Sequence, residues 1–286
     1  MKTKILVTGA NGQLAQCIKD LEPNFLDSII SYKNSSNLDI TNSDQVNTIF
    51  KKNNFDWCIN CAAYTNVEKA ETEKDKAFDV NHLGVKNIAL ACRDNNTKLI
   101  HISTDFVFDG MASKAYTEND EPNPINVYGL SKLKGETEVQ SFLKENYIIR
   151  TSWLYSEYRN NFLKTILKLS ETKSEINVVS DQIGTPTYAR DLADAILKII
   201  KTDTCEYGIY NYSNQGEISW YEFATAILKI INSNITVKPI LSSNYPTHAL
   251  RPKFSVLDKT KIKNTFNISI PYWKDSLGIA IKRLDG

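Results

Sequence analysis

The stretch Lys4-Ile5-Leu6-Val7-Thr8-Gly9-Ala10-Asn11-Gly12-Gln13-Leu14-Ala15 decides how the chain reads. Lys4–Thr8 is apolar and β-branched, the pattern of a strand buried on both faces. Two glycines follow at i and i+3, and a helical run, Gln13–Leu21, begins at once. Gly9 suits a tight turn. Gly12 lets the backbone approach a diphosphate, which then meets the positive end of the helix. A strand, a glycine turn and a helix at the head of the chain predict a dinucleotide site. Ala15 stands where a third glycine is common, and it is small enough for close helix–strand packing.

Working outward, short β-rich runs alternate with longer amphipathic ones. Ile29–Tyr32, Trp57–Asn60, Lys98–Ser103 and Tyr147–Thr151 read as strands. Ser43–Lys52 reads as a helix capped by Ser43, with Val46, Ile49 and Phe50 on one face. Lys74–Asn95 reads as one long helix and Val127–Asn146 as another. Such alternation predicts an α/β fold: a Rossmann-type doubly wound parallel sheet with ligands at the carboxyl ends of its strands. The second half is less regular. Asn161–Leu169, Ala189–Ile200, Trp220–Ile231 (capped by Ser219) and Pro271–Leu284 read as helices, and Leu241–Pro252 as a loop. The expected division is a dinucleotide-binding domain of residues 1–155 with 186–212, and a smaller C-terminal substrate lobe of 156–185 with 213–286.

Composition narrows the function. The 286 residues are 42% hydrophobic and 23% charged, which disfavours a disordered chain. Their 34 Lys+Arg and 33 Asp+Glu leave a net charge of +1, too little for nucleic-acid binding through bulk charge. No apolar run approaches the roughly 18 residues of a membrane span, and Ile5–Val7 is too short for a signal peptide, so a cytoplasmic protein is expected. Five sparse cysteines suit reduced thiols, and Cys58-x-x-Cys61 lacks a second pair or a nearby His for zinc. His82, His101 and His248 have no triad partners and read as structural.

An acid at the end of the second strand would select NAD by bonding the adenosine ribose. Here the strand ends Ser31-Tyr32-Lys33, and Lys33 would welcome a 2′-phosphate instead. NADPH is therefore the expected cofactor, with NADH as the alternative. Asp39 either approaches the adenine or caps a turn.

The strongest chemical signal is Tyr128-Gly129-Leu130-Ser131-Lys132. On a helix the phenol and the ammonium at i and i+4 share one face. A free Tyr titrates near about 10, and an adjacent cation favours the phenolate. The pair lies 24 residues after Thr104, a hydroxyl at the end of a buried strand, which can share a substrate oxygen with Tyr128.

These residues resemble the extended short-chain dehydrogenase/reductase family, and within it the dTDP-4-dehydrorhamnose reductase branch. The matching stretches are ILVTGANGQLA, LDIT around Asp39, NCAAYTNVEKAE from Asn60, VNHLGVKNIA from Val80, ISTDFVFDG from Ile102 and INVYGLSKLKGE from Ile125. IIRTSWLY from Ile148, NNFLKT from Asn160, DQIGTPTYARDLA from Asp181 and LRP at Leu250–Pro252 follow in order. The resemblance implies reduction of the C4 keto group of a dTDP-linked 4-keto-6-deoxyhexose to dTDP-L-rhamnose. Gly9, Asn11, Gly12, Gln13 and Leu14 would hold the cofactor diphosphate, and Asp39 and Ile40 would flank the adenine. Ala62, Ala63, Tyr64 and Thr65 would line the cofactor path, and Asn81 would support the active-site network as one of the cofactor-binding residues. Thr104, Tyr128 and Lys132 would be the catalytic set, Lys132 also bonding the nicotinamide ribose. Asp105 falls in the substrate-binding stretch; Phe106 and Trp153 would face the sugar, and Arg251 the nucleotide diphosphate.

Two departures stand out. Phe106 replaces a tyrosine common in the branch, and its place holds no glutamate of the kind a 4,6-dehydratase would carry. Some members are metal-bridged dimers through acids near the first helix and near Asp191. Here the neighbours are Ala15, Gln16 and Arg190, and Arg190 would repel a cation. No metal is expected, and the expected state is a monomer or weak homodimer. A 3,5-epimerase/reductase would want a Cys/His pair around the substrate, which is not evident. The alternatives that stay open are a reductase of a related keto-sugar and a non-catalytic dinucleotide-binding regulatory subunit.

Overall fold

The computed structural model describes residues 2–25 and 27–284. Six parallel strands form the central sheet in the order β2-β1-β3-β4-β5-β6: β1 (Thr3–Thr8), β2 (Ser28–Lys33), β3 (Trp57–Asn60), β4 (Lys98–Thr104), β5 (Asn146–Thr151) and β6 (Gly208–Tyr212). Ile5, Leu6 and Val7 are fully buried because helices cover both faces. On one face α1 (Gln13–Leu21) packs beside α6 (Ala189–Thr202). On the other lie α2 (Ser43–Asn53), α3 (Gly84–Asp94) and α4 (Val127–Phe142). The strand order reverses beside β1, where β2 leaves to one side and β3 to the other, so the cleft opens at the carboxyl ends there.

The lobe over those carboxyl ends is built on α5 (Phe162–Ser170), α7 (Trp220–Ile230) and α8 (Trp273–Leu284). A parallel strand pair, Glu175–Val179 with Thr236–Ile240, packs beside α7. Ser219 caps α7 in a reciprocal box with Glu222, each serving the other's backbone N–H.

Three local expectations are corrected. The cap of α2 is Asn42, whose side chain accepts from the Gln45 N–H; Ser43 is the first helical residue. Val127–Asn146 does not run through as helix: α4 ends at Phe142, and Asn146 already belongs to β5. Lys74–Asn95 is not one continuous helix either. It consists of Lys74–Phe78, a wide π-turn at Asp79–Leu83, and α3. Apolar periodicity alone does not register the extra residue of such a turn, which is a frequent mark of a functional segment. The π-turn holds Asn81 fully buried against α4. A Cβ at Gly135 of α4 would collide with the Asn81 carbonyl, so the glycine permits that approach.

Candidate active site

A cleft of about 760 Å³ runs along the strand ends, within the size range of cofactor sites. Gly9, Asn11, Gly12, Gln13 and Leu14 form its floor, with Ala62, Ala63, Tyr64 and Thr65 beside them. Gly9 is required by two independent facts. Its φ is +62°, and a Cβ there would lie 2.7 Å from the Ala62 nitrogen. At the adenosine end the walls are Asn34, Ser35, Leu38, Asp39 and Ile40. Asp39 accepts from the Thr41 N–H and hydroxyl, so it closes a turn while still lining the cleft.

Two expected cofactor contacts are placed differently. Lys33 is not part of the cleft wall; Asn34 and Ser35 follow it there. Its carbonyl instead accepts from the Ala10 N–H, which ties the glycine turn to β2. Asn81 does not line the cleft either. Its amide bonds both backbone groups of Tyr64 and the Ser131 hydroxyl, joining the wall at Tyr64 to the helix that carries Tyr128.

Thr104, Tyr128 and Lys132 converge on the middle of the cleft. β4 ends at Thr104. α4 starts at Val127 under an Asn126 cap and lies close because Gly129 meets the Phe106 carbonyl, where any Cβ would clash. The Tyr128 ring packs edge-on against Phe106 with centroids 5.7 Å apart. Burial pushes the phenol up to about 12, a hydrogen bond with Thr104 opposes this, and the Asp105 charge adds to the rise. The free site thus keeps the proton on Tyr128. Without the cofactor, burial outweighs the favourable effect expected of an adjacent cation, and a protonated phenol suits a group that donates a proton.

Lys132 is almost completely buried. Its Nζ donates to the Ile102 carbonyl at 2.6 Å and lies 3.5 Å from His101 Nε2. Burial lowers it to about 8, with the Glu136 and Cys61 charges opposing. A depressed lysine is charged below its own value and neutral above it, so the ammonium is lost as pH rises through about 8. The profile of kcat/KM against pH, which reports the free enzyme, should accordingly carry an alkaline limb at about 8. A profile flat up to about pH 10, the ordinary lysine range, would contradict this. Asp105 is 1% exposed, its Oδ2 has no hydrogen-bond partner among the described residues, and burial pushes its carboxyl up to about 6.

At the far end lie Phe106, Trp153, Trp220 and Arg251. Trp153 adopts φ +45° and stacks on Trp220 with centroids 3.5 Å apart. Gly184 leaves room for this, since a Cβ there would lie 2.6 Å from the Trp153 ring. Among the described residues the buried Nε of Arg251 has no hydrogen-bond partner, so a donor stays free for an acidic ligand. Sequence reasoning missed Trp220, although its place one residue after the Ser219 cap was readable. It also missed Arg159, whose Nε donates to the Asn11 carbonyl and so latches the glycine turn to the lobe. His101, read from the sequence as structural, is buried in the sheet with its Nε2 beside Lys132. Arg190 pairs with Asp20 at 3.2 Å. Among the described residues no three His, Cys, Asp or Glu side chains converge to hold a metal ion.

The fit of a dinucleotide is carried by the Gly9 turn and the cleft that continues from it. Comparison with known proteins agrees. The sequence profile described as RmlD substrate binding domain matches residues 3–285. The chain is 41% identical to a dTDP-4-dehydrorhamnose reductase of Aggregatibacter actinomycetemcomitans, over 96% of this chain and 97% of that protein. It is 31% identical to a dTDP-4-keto-6-deoxy-D-glucose reductase of Streptomyces niveus, over 100% and 99%. A crystal structure of dTDP-4-dehydrorhamnose reductase from Bacillus anthracis in complex with NADP superposes with a TM-score of 0.95 at 39% identity, covering 99% of this chain and 100% of that one. With the glycine turn, the Thr104–Tyr128–Lys132 cluster and the tryptophan-lined lobe along one cleft, the chain belongs to the RmlD substrate-binding family, the family of the dTDP-4-dehydrorhamnose reductases that it matches end to end.

Proposed function

We propose that the protein reduces the C4 keto group of dTDP-4-dehydrorhamnose to give dTDP-L-rhamnose, with NADPH as reductant. The observation that carries this reading is the meeting of Thr104, Tyr128 and Lys132 between a glycine-turn dinucleotide floor and a lobe with a free arginine donor. The names of the matched relatives support the sugar, and the NADP complex of one of them supports the cofactor. Bound NADPH supplies the hydride.

The chain's own residues do the rest. Gly9–Leu14 and Arg159 place the dinucleotide, and Asn34 and Ser35 take the end that distinguishes NADPH from NADH. Tyr128 gives its proton to the oxygen that becomes the C4 hydroxyl, and the Thr104 hydroxyl polarises that oxygen. The Trp153–Trp220 face carries the apolar side of the sugar, and Arg251 the diphosphate. Residues 1–155 with 186–212 would form the cofactor domain and the remainder the sugar lobe. A consumer of NADPH and a nucleotide sugar would work in the cytoplasm, and no helix among the described residues is long and apolar enough to cross a membrane. The resemblance to the Streptomyces protein favours one second reading, reduction of a differently configured dTDP-4-keto-6-deoxyhexose.

Mixing the protein with NADPH and a panel of dTDP-4-keto-6-deoxy sugars, and following loss of reduced-nicotinamide absorbance, tests both. dTDP-4-dehydrorhamnose should be consumed and dTDP-L-rhamnose recovered. No oxidation with any of the sugars would sink the assignment, and a different epimer as product would favour the second reading.

A further inference from the structure

Thr8, Asn60 and His101 occupy matched positions on the adjacent strands β1, β3 and β4, so they form a polar row across the sheet. All three are buried. The row is hydrogen-bonded end to end. The Ala62 N–H reaches Thr8 Oγ1 at 3.3 Å, Thr8 Oγ1 reaches Asn60 Oδ1 at 2.6 Å, and Asn60 Nδ2 reaches His101 Nδ1 at 3.1 Å. Beyond it, His101 Nε2 faces Lys132 Nζ at 3.5 Å.

The polarity of this row follows from its ends. A backbone N–H can only donate, so Thr8 Oγ1 accepts from Ala62 and passes its own proton to Asn60. The 2.6 Å separation is that of an O–H···O bond, whereas amide N–H bonds are typically longer, about 2.9–3.0 Å. Asn60 therefore turns its NH₂ toward His101, whose Nδ1 accepts. A neutral imidazole with an accepting Nδ1 carries its proton on Nε2. His101 is neutral: burial, and then the Lys132 charge, hold it well below the usual histidine range. An N–H is thus aimed at the lysine nitrogen. That is a poor neighbour for an ammonium, which can only donate, and a hydrogen-bond partner for the free amine.

We propose that His101 is a positioning residue for Lys132: fixed as the Nε2–H tautomer by Asn60 and Thr8, it receives the lysine nitrogen once that nitrogen has passed a proton toward Tyr128. The proposal rests on the reductase reading above. In each turnover Tyr128 loses one proton to the substrate oxygen, Lys132 returns one to the phenolate, and water restores one to Lys132. The other ionisable groups whose charge acts on Lys132 are Glu136 on α4 and Cys61 after β3, and Tyr128 lines the same cleft. Glu136 is paired with Arg150 of β5 at 2.7 Å and accepts a hydrogen bond from the Ser103 hydroxyl of β4.

The test compares His101→Gln, His101→Asn and Asn60→Asp. A glutamine amide reaches the Nε2 position and can accept from Asn60 while donating to Lys132. Asparagine reaches only the Nδ1 position. Aspartate at position 60 only accepts, so it forces the proton onto Nδ1 and leaves a bare Nε2 facing Lys132. The first readout is Lys132 itself, the titration of its ε-nitrogen by NMR in protein without substrate, assigned with Lys132→Met. This readout stands whichever sugar is turned over; a wild type inert toward every keto-sugar would sink only the reductase reading. The midpoint should rise by about one unit in His101→Asn and in Asn60→Asp and stay in place in His101→Gln. In turnover, His101→Asn should lose about tenfold in kcat with the KM for NADPH within about twofold, and His101→Gln should restore it. An unmoved midpoint in either His101→Asn or Asn60→Asp overturns the proposal. Equal losses in His101→Asn and His101→Gln overturn it too, since only packing would then be at stake.

Discussion

Tyr128→Phe should lower kcat by roughly 10²- to 10⁴-fold, the usual contribution of a positioned proton donor, while NADPH binding stays within about twofold. The substitution removes one oxygen and little else. The ring's edge-on packing against Phe106 is available to phenylalanine as well, and the glycine-turn floor that would hold the dinucleotide is untouched. What disappears is the only phenol among the cleft residues that stands beside Thr104 and one helical turn from Lys132. Steady-state turnover with dTDP-4-dehydrorhamnose and a fluorescence titration with NADPH measure the two halves separately. A variant that keeps more than about a tenth of wild-type kcat would mean that the proton comes from elsewhere. Asp105, whose burial keeps its carboxyl protonated up to about pH 6, would be the first group to examine.

Arg150→Met should destabilise the protein by about 3–5 kcal/mol, the usual effect of leaving one member of a buried pair alone. Arg150 is 1% exposed, and its guanidinium bonds both oxygens of Glu136, itself 1% exposed. The guanidinium also lies 5.1 Å over the Phe108 ring. Methionine fills much of the volume but leaves the Glu136 carboxylate with Ser103 as its remaining partner on the sheet side. The double variant Arg150→Met, Glu136→Leu should recover most of the loss, because an apolar pair of similar size carries no desolvation penalty. Urea unfolding of the three proteins decides it. A single variant within about 1 kcal/mol of wild type would show that the pair adds little net stability.

How far the site was legible follows the range of the forces that build it. The glycine turn and the Tyr128–Lys132 spacing are local, so strand-to-helix chemistry and helical periodicity announced both. The long helix over Lys74–Asn95 failed where the π-turn inserts one residue, because apolar periodicity tolerates that shift while the side chain of Asn81 turns inward. Lys33 failed for a related reason. Which residue at a strand end faces a cleft depends on where the strand stops, and here the wall begins at Asn34.

By itself, then, the sequence determined the alternation of strands and helices, the dinucleotide turn, the phenol–ammonium pair and the hydroxyl at the end of the fourth strand. Each rests on neighbours within a few residues or on the burial pattern of one element. Only the tertiary structure decided that Trp220 stacks on Trp153, that Arg251 is left with a free donor, that Arg159 reaches back to Asn11, and that Thr8, Asn60 and His101 line up behind Lys132. These depend on strand register and on how the lobe settles over the sheet. Contacts between residues 40 to 150 positions apart follow from packing the whole chain at once, and no local pattern encodes them.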